Sequence, residues 1–445
     1  MKSLRSSVAI VSFVLVVSAL CLVGCDQVST PVGSSHKSLQ YSYTGAQSMN
    51  APQYPVHNSE GYYDWPDVEY LDRESEIIEA LDTFSVSSFA QIASDNAEEN
   101  TCYSPVSLFY ALSMAAYGAN GNTRDELFQA LSIDDDPELI EQYRSLYLMM
   151  YTQEMADQKL ANSIWVSNED LGFNKDYLTL MQDKMFAEVY GVDFGTDKAN
   201  AAMSAWVADH TQNVVSPELT SDERWAMALM NTVFFKGSWS EEFDASLTHS
   251  ADFTLQDGSV VTTDFMVLDS GEEHDVITTD DFCATSLYFS NGAMMRLVLP
   301  QDGVSVSDII NDGDMLHEAL YGEATSQATL TCTMPRVDFG QSHDLIDAAR
   351  ALGVHDAFDN SADFSLMIDA PTSISSIQQD THLTVDEQGV MGAAFSVVEM
   401  MVMSAMPDEI PDEHIDFTLD KPYIYAVISP EGATLFVGAI YNPED

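Results

Sequence analysis

The chain has 445 residues, 46% of them apolar, enough for one large core or two ordinary ones. Its formal charge is −55, from 71 acidic against 16 basic residues, with no lysine between Lys236 and Lys421. Such a surface repels nucleic acid and anionic lipid and stays soluble where salt screens self-repulsion. We read it as an adaptation to high salt, against the plainer alternative of a generally acidic secreted protein.

The N-terminus has the layout of a targeting segment. Lys2 and Arg5 precede an apolar stretch from Val8 to Leu20. Small residues then sit directly before Cys25, in Leu22-Val23-Gly24-Cys25. This run resembles the lipobox of bacterial lipoproteins, which implies removal of residues 1–24 and lipidation of Cys25; an ordinary signal peptide or signal anchor is the alternative. Residues 25–70 are rich in Ser, Thr, Tyr, Gln and Pro without regular period, as in a flexible linker, with aromatics that can pack its end on the body. The folded domain is expected over 71–445. Cys102, Cys283 and Cys332 lie too far apart for a disulfide framework or a zinc pattern, and read as buried free thiols.

From Glu74 to Ala97 apolar residues recur at helical spacing. Ser104 before Pro105 has the form of a helix start, cap followed by N1 proline. Gly118 and Gly121 are expected to end that helix, and Thr123 to cap the next. Residues 227–243 read as a buried strand ending at Gly237. Further strands are expected around 287–300 and 334–337.

The run from Val390 to Met406 is nearly all apolar and carries one charge, Glu399. It is barely long enough to cross a bilayer, and a mid-span carboxylate argues against that. With a period of two, Val390, Gly392, Ala394, Ser396, Val398, Met400 and Val402 share one uncharged parity, and Glu399 falls on the other. Acidic, proline-bearing flanks suggest a segment held in water. The combination describes a stretch that starts exposed and can later become a strand.

That pattern, with Glu387, Gln388, Gly389 and Val390 before it, resembles the reactive loop of the serpins, here about 387–413. The resemblance extends in order over residues 75–445. It includes Asn100, Ser104, Pro105 and Ser107; Ala161-Asn162 with Trp165; Trp206-Val207; Asn231 with Phe235-Lys236-Gly237-Ser238-Trp239; Met334-Pro335-Arg336; and Phe417 to Tyr423. It implies an α+β serpin fold: helices around a large, mostly antiparallel central sheet, two smaller sheets, and an exposed loop. It places the scissile bond sixteen residues beyond Glu387, at Met403–Ser404. The hinge becomes Glu387, Gly389, Val390, Gly392, Ala393 and Ala394. Trp239, with Arg336 paired to Glu387, forms the breach where insertion begins. Ser104, Ser107, Asn231 and Gln379 form the shutter, although capping alone would also explain the two serines. Gln379 stands where the family has a histidine; His382 lies three positions off register.

No hydrolase, phosphate-loop or metal motif stands out, so neither an enzyme nor a cofactor is expected. The resemblance implies a monomeric suicide inhibitor. Met403 points to serine proteases with a medium apolar pocket, elastase-, chymotrypsin- or subtilisin-like. The chain would touch the membrane only through its lipid, outside the cell. A non-inhibitory serpin that binds or builds in the cell envelope is the alternative.

Overall fold

The computed structural model describes residues 11–21, 42–50, 52, 69–95, 98–134, 136, 138–151, 159–215, 217–390 and 413–444, and for 11–21 the backbone alone. Among these, helices pack around a seven-stranded and a nine-stranded sheet, with a two-stranded ribbon at one end of the first. The architecture is the expected α+β one.

The seven-stranded sheet runs Val337–Asp344, Thr372–Val385, Val11–Cys21, Trp225–Phe235, Lys159–Ser167, Ala187–Val192, Ala46–Asn50. It is a mixed sheet: three of its six adjacencies are parallel. Trp225–Phe235 is buried from its second residue onward. A strand so uniformly apolar needs cover on both faces. Pro105–Gly118, a helix buried at every position, covers one face. On the other, Trp165, Tyr190 and Phe234 pack with Ala202, Met203 and Trp206 of the Asp197–His210 helix.

The nine-stranded sheet gathers Tyr423–Ile428 and Thr434–Ile440, buried at every residue, with Thr101–Tyr103 on its edge. Thr101–Tyr103 leads straight into Pro105–Gly118, so one short segment joins the two sheets' packing.

Val11–Cys21 lies between Trp225–Phe235 and Thr372–Val385, parallel to both. Val17 is level with Asn231 on one side and Gln379 on the other. Those two flanking strands are therefore one strand position apart, with Asn231 and Gln379 at the same height.

Local differences from expectation have physical causes. The first helix spans Glu76–Asp95. Pro105 starts the second, but the enclosed Ser104 side chain makes no cap, and Gln379 holds the Ser104 backbone N and O. Gly118 closes that helix, whereas Gly121 opens the next, with φ of 55° and Asn120 in the cap position. Thr123 lies inside its first turn and accepts from Asp363 N at 3.0 Å. Ala46–Asn50, inside the stretch read as linker, pairs with Ala187–Val192, and Tyr43 packs on Trp165 and Tyr190. Five residues of mixed polarity carry no readable period; the partner's free edge makes the strand. Cys102 and Cys332 are buried free thiols, whereas Cys283, also free, is only half-buried; burial pushes Cys102 up to about 11 and Cys332 up to about 12.

Candidate functional site

At the end of the seven-stranded sheet, Thr372–Val385 leaves the sheet and turns at Asp386 into the ribbon Gly389–Val390, antiparallel to Gly237–Ser238. Gly389 has φ of 138°, and a Cβ there would stand 2.2 Å from Gly237 O. Only glycine permits both that backbone and that approach. Trp239 is the anchor. Its indole stacks on Phe289 at 4.5 Å, its Nε1 donates to Asp386 O at 2.9 Å, and its backbone N donates to Gln388 O at 3.1 Å. Trp239 thus stands beside the Gly389–Val390 ribbon, and it is also a core aromatic, 3% exposed.

Arg336 pairs with Glu387, as the family resemblance implied. Its Nε lies 3.2 and 3.1 Å from the two carboxylate oxygens, and its Nη2 donates as well. Thr248 donates to the same carboxylate, and Asp264 adds a second acid to Arg336 at 3.5 Å. Burial works against the charge on Glu387, but the hydrogen bonds from Arg336 and Thr248 outweigh it and hold the carboxyl below its ordinary range. Thr248 and Asp264 were not legible beforehand: the one just precedes the His249–Thr254 strand and the other lies in Val260–Thr278, both far in sequence from either motif.

The shutter residues also come together, on the first turn of Pro105–Gly118. Gln379 Oε1 accepts from Ser104 N at 2.9 Å, and its Nε2 donates to Ser104 O at 3.0 Å. One turn on, Ser107 Oγ donates to Asn231 Oδ1. Asn231 Nδ2 donates to Asn162 Oδ1 at 2.6 Å, and Asn162 Nδ2 to Met185 O at 2.6 Å. One helix start thus grips the strands on both sides of the central position, and all four shutter side chains are fully enclosed. For Ser107 the capping explanation gives way to this bond from helix to strand. Asn162 extends the chain and could have been found from its place in the Ala161-Asn162 motif. His382 faces the other way, onto Asp338 at 2.7 Å. Met403, Ser404, Gly392, Ala393, Ala394 and Cys25 lie outside the described residues.

A family model described as Serpin (serine protease inhibitor) matches residues 79–443. Serpin-ZXA of Oryza sativa subsp. japonica is 28% identical over 372 residues, 78% of this chain and 91% of its own length. Alpha-1-antiproteinase of Rattus norvegicus is 26% identical over 375 residues, 82% of this chain and 88% of its own. Among solved structures, the thermophilic serpin Tengpin in the native state superposes with a TM-score of 0.71 at 23% identity, over 88% of this chain and all of that one. Cleaved Serpin 42Da gives 0.71 at 21% identity, over 83% and 99%. The chain belongs to the serpin family, whose members are mostly protease inhibitors rather than enzymes.

Proposed function

We propose that this serpin is a suicide inhibitor of serine-type endopeptidases, lipid-anchored through Cys25 at the outer face of a cell envelope. A protease serine attacks the Met403 carbonyl, the bond to Ser404 breaks, and the Ser404 amine leaves as an acyl-enzyme forms. The freed loop then threads between Trp225–Phe235 and Thr372–Val385, carrying the tethered protease with it. Ladder hydrogen bonds and burial of Val390, Val398, Met400 and Val402 provide a driving force on the order of 10 kcal/mol. Met403 fits a medium apolar pocket, of elastase-, chymotrypsin- or subtilisin-like enzymes. The net charge of −55 fits work in high salt.

The observation that carries this reading is the breach. Glu387 and Gly389 are held beside the sheet's end, on Arg336 and Gly237–Ser238, directly above the position the loop must enter. A second reading, a serpin that binds or builds without trapping, is favoured by one observation: in the full-length chain that position is taken by Val11–Cys21. Removal of residues 1–24 would clear it. The discriminating test mixes a subtilisin- or elastase-like protease with the full-length chain and with the chain beginning at Cys25. An SDS-resistant adduct with the shorter chain, weaker or missing with the longer, is expected. Clean cleavage of both without adduct would establish the second reading.

A further inference from the structure

Bases are scarce in this chain, 16 against 71 acids, so a buried arginine without an acid partner stands out. Arg296, on Met294–Pro300, is such a residue. It is 7% exposed, its Nε is enclosed without a partner, and it forms no ion pair with any described residue. Burying a guanidinium unpaired is costly, because the charge loses its hydration and gains no counter-charge. Burial and the like charge of Arg73 push Arg296 below the ordinary arginine range, although a guanidinium remains charged at any ordinary pH.

The groups around it are also unfilled. Ser286 is its register partner across the antiparallel pair with Phe282–Tyr288, so the two side chains share one face of the sheet. Ser286 is 2% exposed, and its Oγ has no partner. Arg73, just before the Glu76–Asp95 helix, lies over the Tyr321 ring at 5.5 Å and donates through Nη1 to Tyr321 O at 3.4 Å. That holds it at the end of the Gly313–Tyr321 helix, with its Nη2 enclosed and unpartnered. Tyr288, two residues beyond Ser286 on the same face, feels the charge of both arginines and is 42% exposed, which puts it at the opening to solvent. The acids in the neighbourhood do not fill these donors. Asp275 Oδ1 accepts from Gln327 Nε2 at 3.0 Å and pairs with neither arginine. Asp82 is buried with its Oδ1 unpartnered, and burial pushes it up to about 7, against the pull of Arg73, so it is only partly ionised at neutral pH.

We propose that Arg296, Arg73 and Ser286 form a binding site for a small doubly charged oxyanion, sulfate or phosphate, where the first helix and the Gly313–Tyr321 helix meet the Phe282–Tyr288 and Met294–Pro300 strands, with Tyr288 at its mouth. Two guanidinium groups present forks of N–H donors that match the oxygens of such an ion, and the serine hydroxyl adds another. Two unpaired positive charges call for a dianion; a neutral ligand would leave both uncompensated. The acidic surface repels anions at long range, but salt screens that repulsion while leaving contacts inside an enclosed site little changed. The site uses neither the bait nor a protease, so it stands apart from trapping.

Equilibrium dialysis of the full chain against radiolabelled sulfate, and separately radiolabelled phosphate, with chloride held constant at about pH 7.5, measures the binding. Saturable uptake of one ion per chain is expected, each oxyanion displacing the other. Arg296→Met keeps the apolar stem but no charge, and should weaken binding by on the order of tenfold or more. Arg73→Gln should weaken it severalfold. Arg350→Gln, at an exposed pair with Asp347, should bind as the parent does. Melting gives a second readout. Sulfate stabilises proteins generally, so the comparison is the rise in the parent against the rise in Arg296→Met, and the parent's should be larger by several degrees. If Arg296→Met does not fold, Arg73→Gln, at a half-buried residue, carries both comparisons. Uptake of sulfate alone or phosphate alone supports the site and names its ion. A parent without saturable uptake, or an Arg296→Met chain that binds as tightly as the parent, overturns it.

Discussion

A chain carrying Val398→Asp is expected to be cut at Met403–Ser404 as fast as the parent and to form no SDS-resistant adduct. Val398 shares its parity with Val390, Met400 and Val402, the residues that turn towards the core once the loop becomes a strand. On the proposed mechanism an aspartate there is harmless before cleavage, when the bait is held in water. In the threaded strand it would bury an unpaired carboxylate between Trp225–Phe235 and Thr372–Val385. That costs several kcal/mol, enough to cancel much of a drive on the order of 10 kcal/mol. The acyl-enzyme then hydrolyses before translocation. The control is Glu399, on the opposite parity: Glu399→Gln should trap as the parent does. Cleavage and adduct are read on one gel, and an intact adduct from the Val398→Asp chain would remove the insertion step.

The second large effect is at the shutter. Asn231→Asp is expected to destabilise the uncut protein by about 3–5 kcal/mol at neutral pH, measured by urea unfolding. Asn231 is enclosed and relays a hydrogen bond from Ser107 to Asn162. A carboxylate can still accept from Ser107 but has no proton for Asn162 Oδ1. Two oxygens would then face each other at 2.6 Å across adjacent strands, one of them charged. Burial raises the pKa of such an acid above its unfolded value. Its protonated form therefore predominates in the fold at lower pH, and the deficit should shrink as pH falls towards the ordinary aspartate range, about 4. A deficit below about 1 kcal/mol at neutral pH would show that the relay is dispensable.

Much of this site was legible because its residues sit in contiguous motifs whose chemistry is local. Gly389 and Glu387 were found through the hinge motif, Trp239 through the Phe235-Lys236-Gly237-Ser238-Trp239 block, and Arg336 through Met334-Pro335-Arg336, all by family resemblance. What was not legible depends on register between distant strands. Thr248 reaches Glu387 across 139 residues, and Gln341 reaches Cys102 across 239. Nothing in the composition around either residue marks the partner. Ser104 has the local form of a cap but makes none, and what holds its backbone instead, Gln379, lies 275 residues away. His382 looked nearer the shutter in sequence than His343, yet strand parity turns it onto Asp338, while an antiparallel partner brings His343 level with Gln379. The Ala46–Asn50 strand was hidden because an edge strand borrows its order from the neighbour's hydrogen bonds rather than from its own pattern.

Thermal unfolding of the chain beginning at Cys25, before and after a single nick at Met403–Ser404, weighs the whole proposal most directly. If the freed bait becomes the central strand, the nicked protein melts well above the intact one, by tens of degrees for a gain on the order of 10 kcal/mol. Two superimposable curves would mean that cutting releases nothing, and that this serpin does not trap.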